Sequence, residues 1–181
     1  MPDPAPALRQ ASTDLTPERF RRATSRYATG IAVVTTHVDG VDHAMTANSF
    51  TSVSLDPLLA LVCVERDSRF HAAMVATECW SVSFLPAGSE ALARWFATRG
   101  RPLVAQFETV PTRRGENGCL LLESALASLE LHTEQFVPAG DHDIVVGAVT
   151  AIHDPVTITS ADGPGAAAPT VYFASRFWQL A

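Results

Sequence analysis

The chain has 181 residues, with 13 Lys and Arg against 19 Asp and Glu for a formal net charge of −6. The basic residues are scattered rather than clustered, which argues against a nucleic-acid partner. At 47% hydrophobic and 18% charged residues it is more apolar and less charged than a typical soluble domain, so an obligate dimer is expected to bury the excess, and the length suits one domain.

The cysteines Cys63, Cys79 and Cys119 are widely spaced, with no C-x-x-C pair, and read as reduced core residues of a cytosolic protein. The opening Met1-Pro2-Asp3-Pro4-Ala5-Pro6 has neither a basic n-region nor an apolar h-region, so it is no secretory signal. No apolar run reaches the ~18 residues a membrane span needs. A cytoplasmic protein without membrane contact is expected.

In chain order, residues 1–15 are rich in Pro, Ala and polar residues and read as a flexible leader, leaving 16–181 as a single domain. Thr16 is an N-cap and Pro17 a first helical residue. Phe20, Ala23 and Tyr27 then mark an amphipathic helix that Gly30 is placed to stop. From Ile31 the pattern turns β-branched, Asp39-Gly40 predicts a tight hairpin, and an extended run continues through Ser52. Strands are expected over Leu58–Val64 and Trp80–Leu85, with a short helix around Phe70, Ala73 and Met74 between them. Gly88-Ser89 opens another helix with Leu92, Trp95 and Phe96 on its apolar face. Leu120–Phe136 reads as one long strand with Ala125, Ala127, Leu129 and Leu131 buried, and Ser128, Glu130, His132 and Glu134 wet or lining a cleft. After a turn at Pro138-Ala139-Gly140-Asp141, Ile144–Ile152 is a strand whose Gly147 marks a bulge or a close backbone approach. Val171-Tyr172-Phe173 and Phe177-Trp178 form a last extended pair. The fold class is mainly β with short helices, an antiparallel barrel of about seven strands.

There is no H-E-x-x-H, Walker loop or G-x-S-x-G elbow. Gly163–Ala168 satisfies G-x-G-x-x-A, but it contains Pro164, is closed by Pro169 and leaves too few residues for a crossover unit, so it reads as a loop. The six histidines show no metal-ligand spacing on one helix face, and no metal site is expected. His142 sits in a turn between Asp141 and Asp143, carboxylates able to hold an imidazole in place; a solvated turn histidine is the alternative. Met45–Ser52 carries small polar residues where a strand would favour bulky ones. It suits either the close approach of a flat ligand, with amides and hydroxyls at its polar edge, or a plain polar edge strand. Ser68-Arg69 suits a phosphate, or an N-cap beside a surface arginine.

In their order and spacing, Ala28–Thr36, Met45–Phe50, Ser52–Pro57, Phe96-Ala97, Gly140-Asp141-His142 with Gly147, and Tyr172–Phe177 resemble the flavin reductase family, the reductase halves of two-component flavin monooxygenases. The resemblance implies a Greek-key, FMN-binding split barrel that forms a homodimer with each flavin near the subunit interface. It implies that Thr46, Ala47, Asn48, Ser49 and Phe50 line the isoalloxazine, that Ser68 and Arg69 meet the phosphate, and that Phe96, Ala97 and Arg99 border the flavin chain. Gly140, Asp141 and His142 would lie on the nicotinamide side, His142 as a positioning residue, with Arg176 and Phe177 closing the same pocket. Departures from the pattern are Ala44 for the usual glycine, Leu58 for a second proline and Ala148 for a common glutamate. The implied cofactors are FMN or FAD with NADH or NADPH as hydride donor, and the implied partner is a separate flavin-dependent monooxygenase that receives reduced flavin by diffusion. Hydride then passes between the two cofactors, so no catalytic triad is needed. The alternative is a non-catalytic flavin-binding or carrier protein, or less readily a relative that binds haem or deazaflavin.

Overall fold

The computed structural model describes residues 15–154 and 168–178. Almost all of the expected leader, and Gly163–Ala167 of the glycine-rich stretch, lie outside the described residues. In chain order the elements are α1 (Pro17–Thr24), β1 (Thr29–Gly30), β2 (Ala32–Val38), β3 (Val41–Ala47), β4 (Thr51–Leu55), β5 (Leu58–Glu65), α2 (Arg69–Val75), β6 (Cys79–Phe84), α3 (Glu90–Ala97), β7 (Thr112–Arg114), β8 (Leu120–Leu122), β9 (Ser128–Ala139), β10 (His142–His153), β11 (Val171–Phe173) and β12 (Arg176–Trp178). No helix among them is long and apolar enough to cross a membrane.

Seven strands form one antiparallel sheet in the order β3-β2-β6-β9-β10-β5-β4. Its outer strands, β3 and β4, are consecutive in sequence, joined only by Asn48, Ser49 and Phe50. Laid flat, seven strands would hold their outer members about 29 Å apart, whereas the link from Ala47 to Thr51 spans no more than about 14 Å. The sheet therefore curls until its edges approach at this link. No ladder joins β3 to β4 among the described residues, so the curl is left unsealed there.

Inside the curl lies a core of Ala32, Val34, Ala60, Val62, Val64, Trp80, Val82, Leu131 and Val145, capped by Phe70 and Met74 of α2. The alternate residues Ile31 and Val33 face outwards onto Ala93 and Phe96 of α3 and onto Leu122 and Ala125. Both faces of β2 are thus covered, which is why its sequence is apolar without alternation. Asp39 and Gly40 turn β2 into β3 with positive φ at both residues (50° and 78°), the geometry a two-residue hairpin demands. At Gly147 the β9–β10 register shifts, and a Cβ there would lie 2.7 Å from Cζ2 of the buried Trp80. Bulge and close approach coincide at this glycine.

The structure differs from sequence expectation in five places. The extended run expected to continue through Ser52 breaks at Asn48, Ser49 and Phe50, where the chain passes from one sheet edge to the other. Helix α1 starts as expected, with Thr16 Oγ1 accepting from Arg19 N at 3.2 Å, but ends at Thr24, and Gly30 lies in β1. The hydroxyls of Thr24 and Ser25 bond to the carbonyls of Phe20 and Arg22, the competition for backbone acceptors by which such residues loosen helices. Its apolar stripe faces solvent: none of its residues is buried, and Phe20 is 70% exposed. On α3 Ala93 and Phe96 carry the buried face, whereas Trp95 stands at the surface and donates from Nε1 to Gln106 O at 2.8 Å. The long strand expected over Leu120–Phe136 is two strands with a break at Glu123–Ala127. Glu130, expected on a face that is wet or lines a cleft, is fully buried, as is Ser128, though with His132 it borders a cavity of about 260 Å³. Glu130 accepts from Glu116 N (3.1 Å) and Asn117 N (2.6 Å) and pairs with His153 Nε2 at 2.6 Å. Burial pushes its carboxyl up, but the Asn117 amide, His153 and the Glu116 amide together hold it below the ordinary glutamate range. The turn folds tightly over this carboxylate, since a Cβ on Gly115 would meet it at 2.7 Å.

Candidate active site

The link between the sheet edges is the centre of the site. Asn48 lines three neighbouring cavities of about 830, 530 and 290 Å³. Thr46 Oγ1 donates to Ala93 O of α3 at 2.6 Å. Ser49 Oγ accepts from Cys63 N at 3.0 Å, filling a rung of β5 that β4 does not reach. These two hydroxyls are spent on holding the link. By contrast, the amides of Asn48, Ser49 and Phe50 donate to no other backbone group among the described residues. Donors left unpaired by a fold are the groups a ligand's polar edge can satisfy.

The cleft of about 530 Å³ gathers most of the residues singled out by sequence: Thr46, Ala47, Asn48 and Ser49 on one wall, Ser68 and Arg69 at the start of α2, and Phe96, Ala97 and Arg99 after α3. His142 joins it from the β9–β10 turn. Phe50 does not. It turns into the cavity of about 830 Å³ and packs edge-on against Phe84, ring centres 4.9 Å apart. Ser68 is occupied as the N-cap of α2, its hydroxyl accepting from His71 N at 3.1 Å and donating to Glu65 O at 2.7 Å. Arg99 is 77% exposed and pairs with Glu65.

Gly140 and Asp141 form the turn beyond the cleft wall and do not line it, and Gly140 holds φ at 71°. Asp141 Oδ1 lies 2.8 Å from His142 Nδ1 and fixes the ring from outside. That hydrogen bond, with the imidazole's charge, holds the Asp141 carboxyl below the usual range. The other flanking carboxylate does not touch His142. Asp143 points the opposite way along the strand, to Arg66 and His71. Phe177 lines the cavity of about 290 Å³ with Thr46, Asn48, Ala97, Arg94 and Tyr172, and Arg176 lines none of the three cavities. Within one chain Phe177 and His142 thus open onto different cavities, separated by the wall of Thr46, Asn48 and Ala97.

Sequence reasoning passed over Arg101, which lines the cleft and is 7% exposed. Its Nε donates to Gln106 Oε1 at 3.0 Å and its Nη1 to Phe96 O at 2.9 Å and Thr98 O at 3.1 Å, while Nη2 donates to Ala44 O. Burial and the nearby charge of Arg69 lower its pKa to about 10. Burial and the same two arginines also hold His43 below the ordinary histidine value, though Asp42 opposes them.

A family model described as flavin reductase like domain matches residues 24–181. The chain belongs to this family. It is 44% identical to an NADH-dependent FAD reductase of Streptomyces globisporus over 134 residues, 72% of either chain. It is 31% identical to the reductase component of 4-hydroxyphenylacetate 3-monooxygenase of Thermus thermophilus over 163 residues, 90% of this chain and 96% of that one. The crystal structure of the flavin reductase component of a bacterial two-component tryptophan halogenase superposes with a TM-score of 0.80 at 38% identity, covering 90% of this chain and 97% of the other.

The residues present fit a flavin. Asn48 and Ser49, whose amides have no backbone acceptor among the described residues, line the cleft. Arg69 and Arg101 line the same cleft, neither within ion-pair distance of a carboxylate among the described residues. Its volume of about 530 Å³ is that of a small-molecule site.

Proposed function

We propose that the protein is an NAD(P)H-dependent flavin reductase that transfers hydride from NADH or NADPH to FMN or FAD and passes the reduced flavin to a separate flavin-dependent monooxygenase. The carrying observation is the Asn48–Phe50 link at the unsealed edge of the sheet, whose amides have no backbone acceptor among the described residues and whose Asn48 and Ser49 line a cleft together with Arg69 and Arg101. When bound, the two cofactors supply the redox chemistry, since hydride moves from nicotinamide to flavin. The chain holds and orients. The Asn48–Phe50 amides receive the polar ring edge, Ala47 leaves room for a flat ring, and Arg69 neutralises phosphate. His142, fixed by Asp141, positions the nicotinamide from the rim. Its imidazole is a placing group because a hydride transfer between two cofactors needs no protein acid or base.

The curled sheet with an unsealed edge is read as the Greek-key split barrel of the family, and the working unit as a homodimer. Helix α1 supports this reading: eight residues with none buried are too few to be helical on propensity alone. Phe20 and Tyr27 beside the larger cavity give a second copy an apolar face to cover. The protein is assigned to the cytoplasm, where reduced nicotinamides are supplied. Analytical ultracentrifugation checks the dimer. Anaerobic addition of NADH, then NADPH, to the flavin-loaded protein checks the activity: bleaching of the flavin absorbance supports a reductase, and bound flavin that neither donor reduces marks a carrier instead.

A further inference from the structure

Arg101 is anchored more heavily than a loop arginine requires. It lies between Gly100 and Pro102 just past α3, yet its guanidinium reaches Ala44 of β3, Phe96 and Thr98 of the α3 terminus, and Gln106. Those four bonds use four of its five N–H groups. Its guanidinium carbon lies 5.3 Å from the centre of the Phe96 ring. Every acceptor is neutral, and no carboxylate pairs with it among the described residues. A buried guanidinium without a counter-ion is costly, and such groups are normally paired. The missing partner is an anion, and the cleft is the direction from which one can arrive.

Arg69 stands beside it, donating from Nη1 to Arg101 O at 2.6 Å, so two arginines line the cleft side by side. The acidic groups there do not cancel them: Glu65 is engaged by Arg99, and Asp67 is exposed on the rim. Ser68 has no free hydroxyl donor to offer, since it caps α2 and bonds Glu65 O.

We propose that Arg101 is the fixed half of the phosphate seat, presenting a pre-positioned cation to the flavin's phosphate while the exposed Arg69 closes over it, so that the cleft selects phosphorylated flavins over riboflavin. The proposal rests on the flavin reading of the cleft and adds a residue to it. Four neutral acceptors hold the guanidinium in place before the ligand arrives, so little side-chain entropy is lost on binding.

The test compares FMN and riboflavin, which share the isoalloxazine and ribityl chain and differ by the phosphate. Fluorescence titration of the wild type is expected to give FMN the lower Kd by about tenfold or more. In Arg101→Gln that preference collapses while riboflavin binds as before. In Arg101→Lys, which keeps the charge and loses the fork, most of the preference survives. Equal affinities for FMN and riboflavin in the wild type overturn the proposal. So does an Arg101→Gln protein that loses both flavins alike, which marks a structural strut. Should Arg101→Gln fail to fold, Arg101→Lys decides: retained preference supports the seat, and parallel loss of both flavins overturns it. A wild type that binds neither flavin overturns the flavin reading itself.

Discussion

Arg66 grips Asp143 with two nitrogens on one oxygen, Nε at 2.8 Å and Nη2 at 2.6 Å from Oδ1, while His71 Nε2 takes Oδ2 at 2.7 Å. Arg66 N also bonds Asp141 O at 3.0 Å. One carboxylate thereby ties the loop that carries Ser68 and Arg69 to the turn that carries His142. His71 first, and then Arg66, hold the Asp143 carboxyl below its ordinary range, so the tie is intact at neutral pH. Asp143→Asn is expected to loosen both halves of the site at once, raising the KM for NADH and the flavin Kd together by about three- to tenfold. Steady-state kinetics with a parallel flavin titration checks this, and a change in only one of the two constants contradicts the coupling.

His142 touches the cleft only from its rim, with 42% of its side chain exposed. Its removal should cost the nicotinamide more than the flavin. For His142→Ala, a rise of about tenfold in the NADH KM with the flavin Kd held within twofold is expected. Loss of flavin with an unchanged NADH KM would refute the role.

Gly147 faces the buried Trp80 at a distance no real Cβ tolerates, with Cε2 at 3.0 Å and His132 O at 3.1 Å closing the remaining space. Gly147→Ala must push Trp80 or the β9–β10 bulge aside. A destabilisation of about 1–3 kcal/mol in urea unfolding is expected. An unchanged midpoint would show that the core yields there.

Some of this was legible along the chain and some was not, and the division has a physical basis. The Asp39-Gly40 turn, the apolar run of β2 and the glycine in β10 are local demands, written in the residues that meet them. Glu130 misled because alternation assigns a face and not an environment: the amides that satisfy it come from Glu116 and Asn117 in a separate turn. Arg101 was missed for a similar reason, since its acceptor at Ala44 lies 57 positions away and no periodicity marks a loop residue. The helix of α1 was read from its first residues, but Tyr27 of its expected stripe falls beyond Thr24, and no surface among the described residues buries the rest.

Glu130 gives a pH test. Its carboxyl is held below the ordinary value, so the charged form stabilises the fold above the unfolded glutamate pKa of ~4.3, and that contribution disappears as pH falls through the lower folded value. Glu130→Gln is expected to cost about 2 kcal/mol near neutrality, because one of the two amide donors loses its acceptor. The gap to wild type should narrow as both proteins are unfolded at progressively lower pH below ~4. A gap that stays constant across that range would show that shape rather than charge is at work.

On the proposed reading, the Asn48–Phe50 link and the cleft lined by Arg69 and Arg101 bring flavin and reduced nicotinamide together for hydride transfer. Oxidation of NADH or NADPH, followed by the absorbance of the reduced nicotinamide with and without added FMN or FAD, tests it most directly. Rapid oxidation that depends on flavin and saturates with it is the predicted result. Failure of either nicotinamide to be oxidised with either flavin, by a protein shown to be folded, would contradict it.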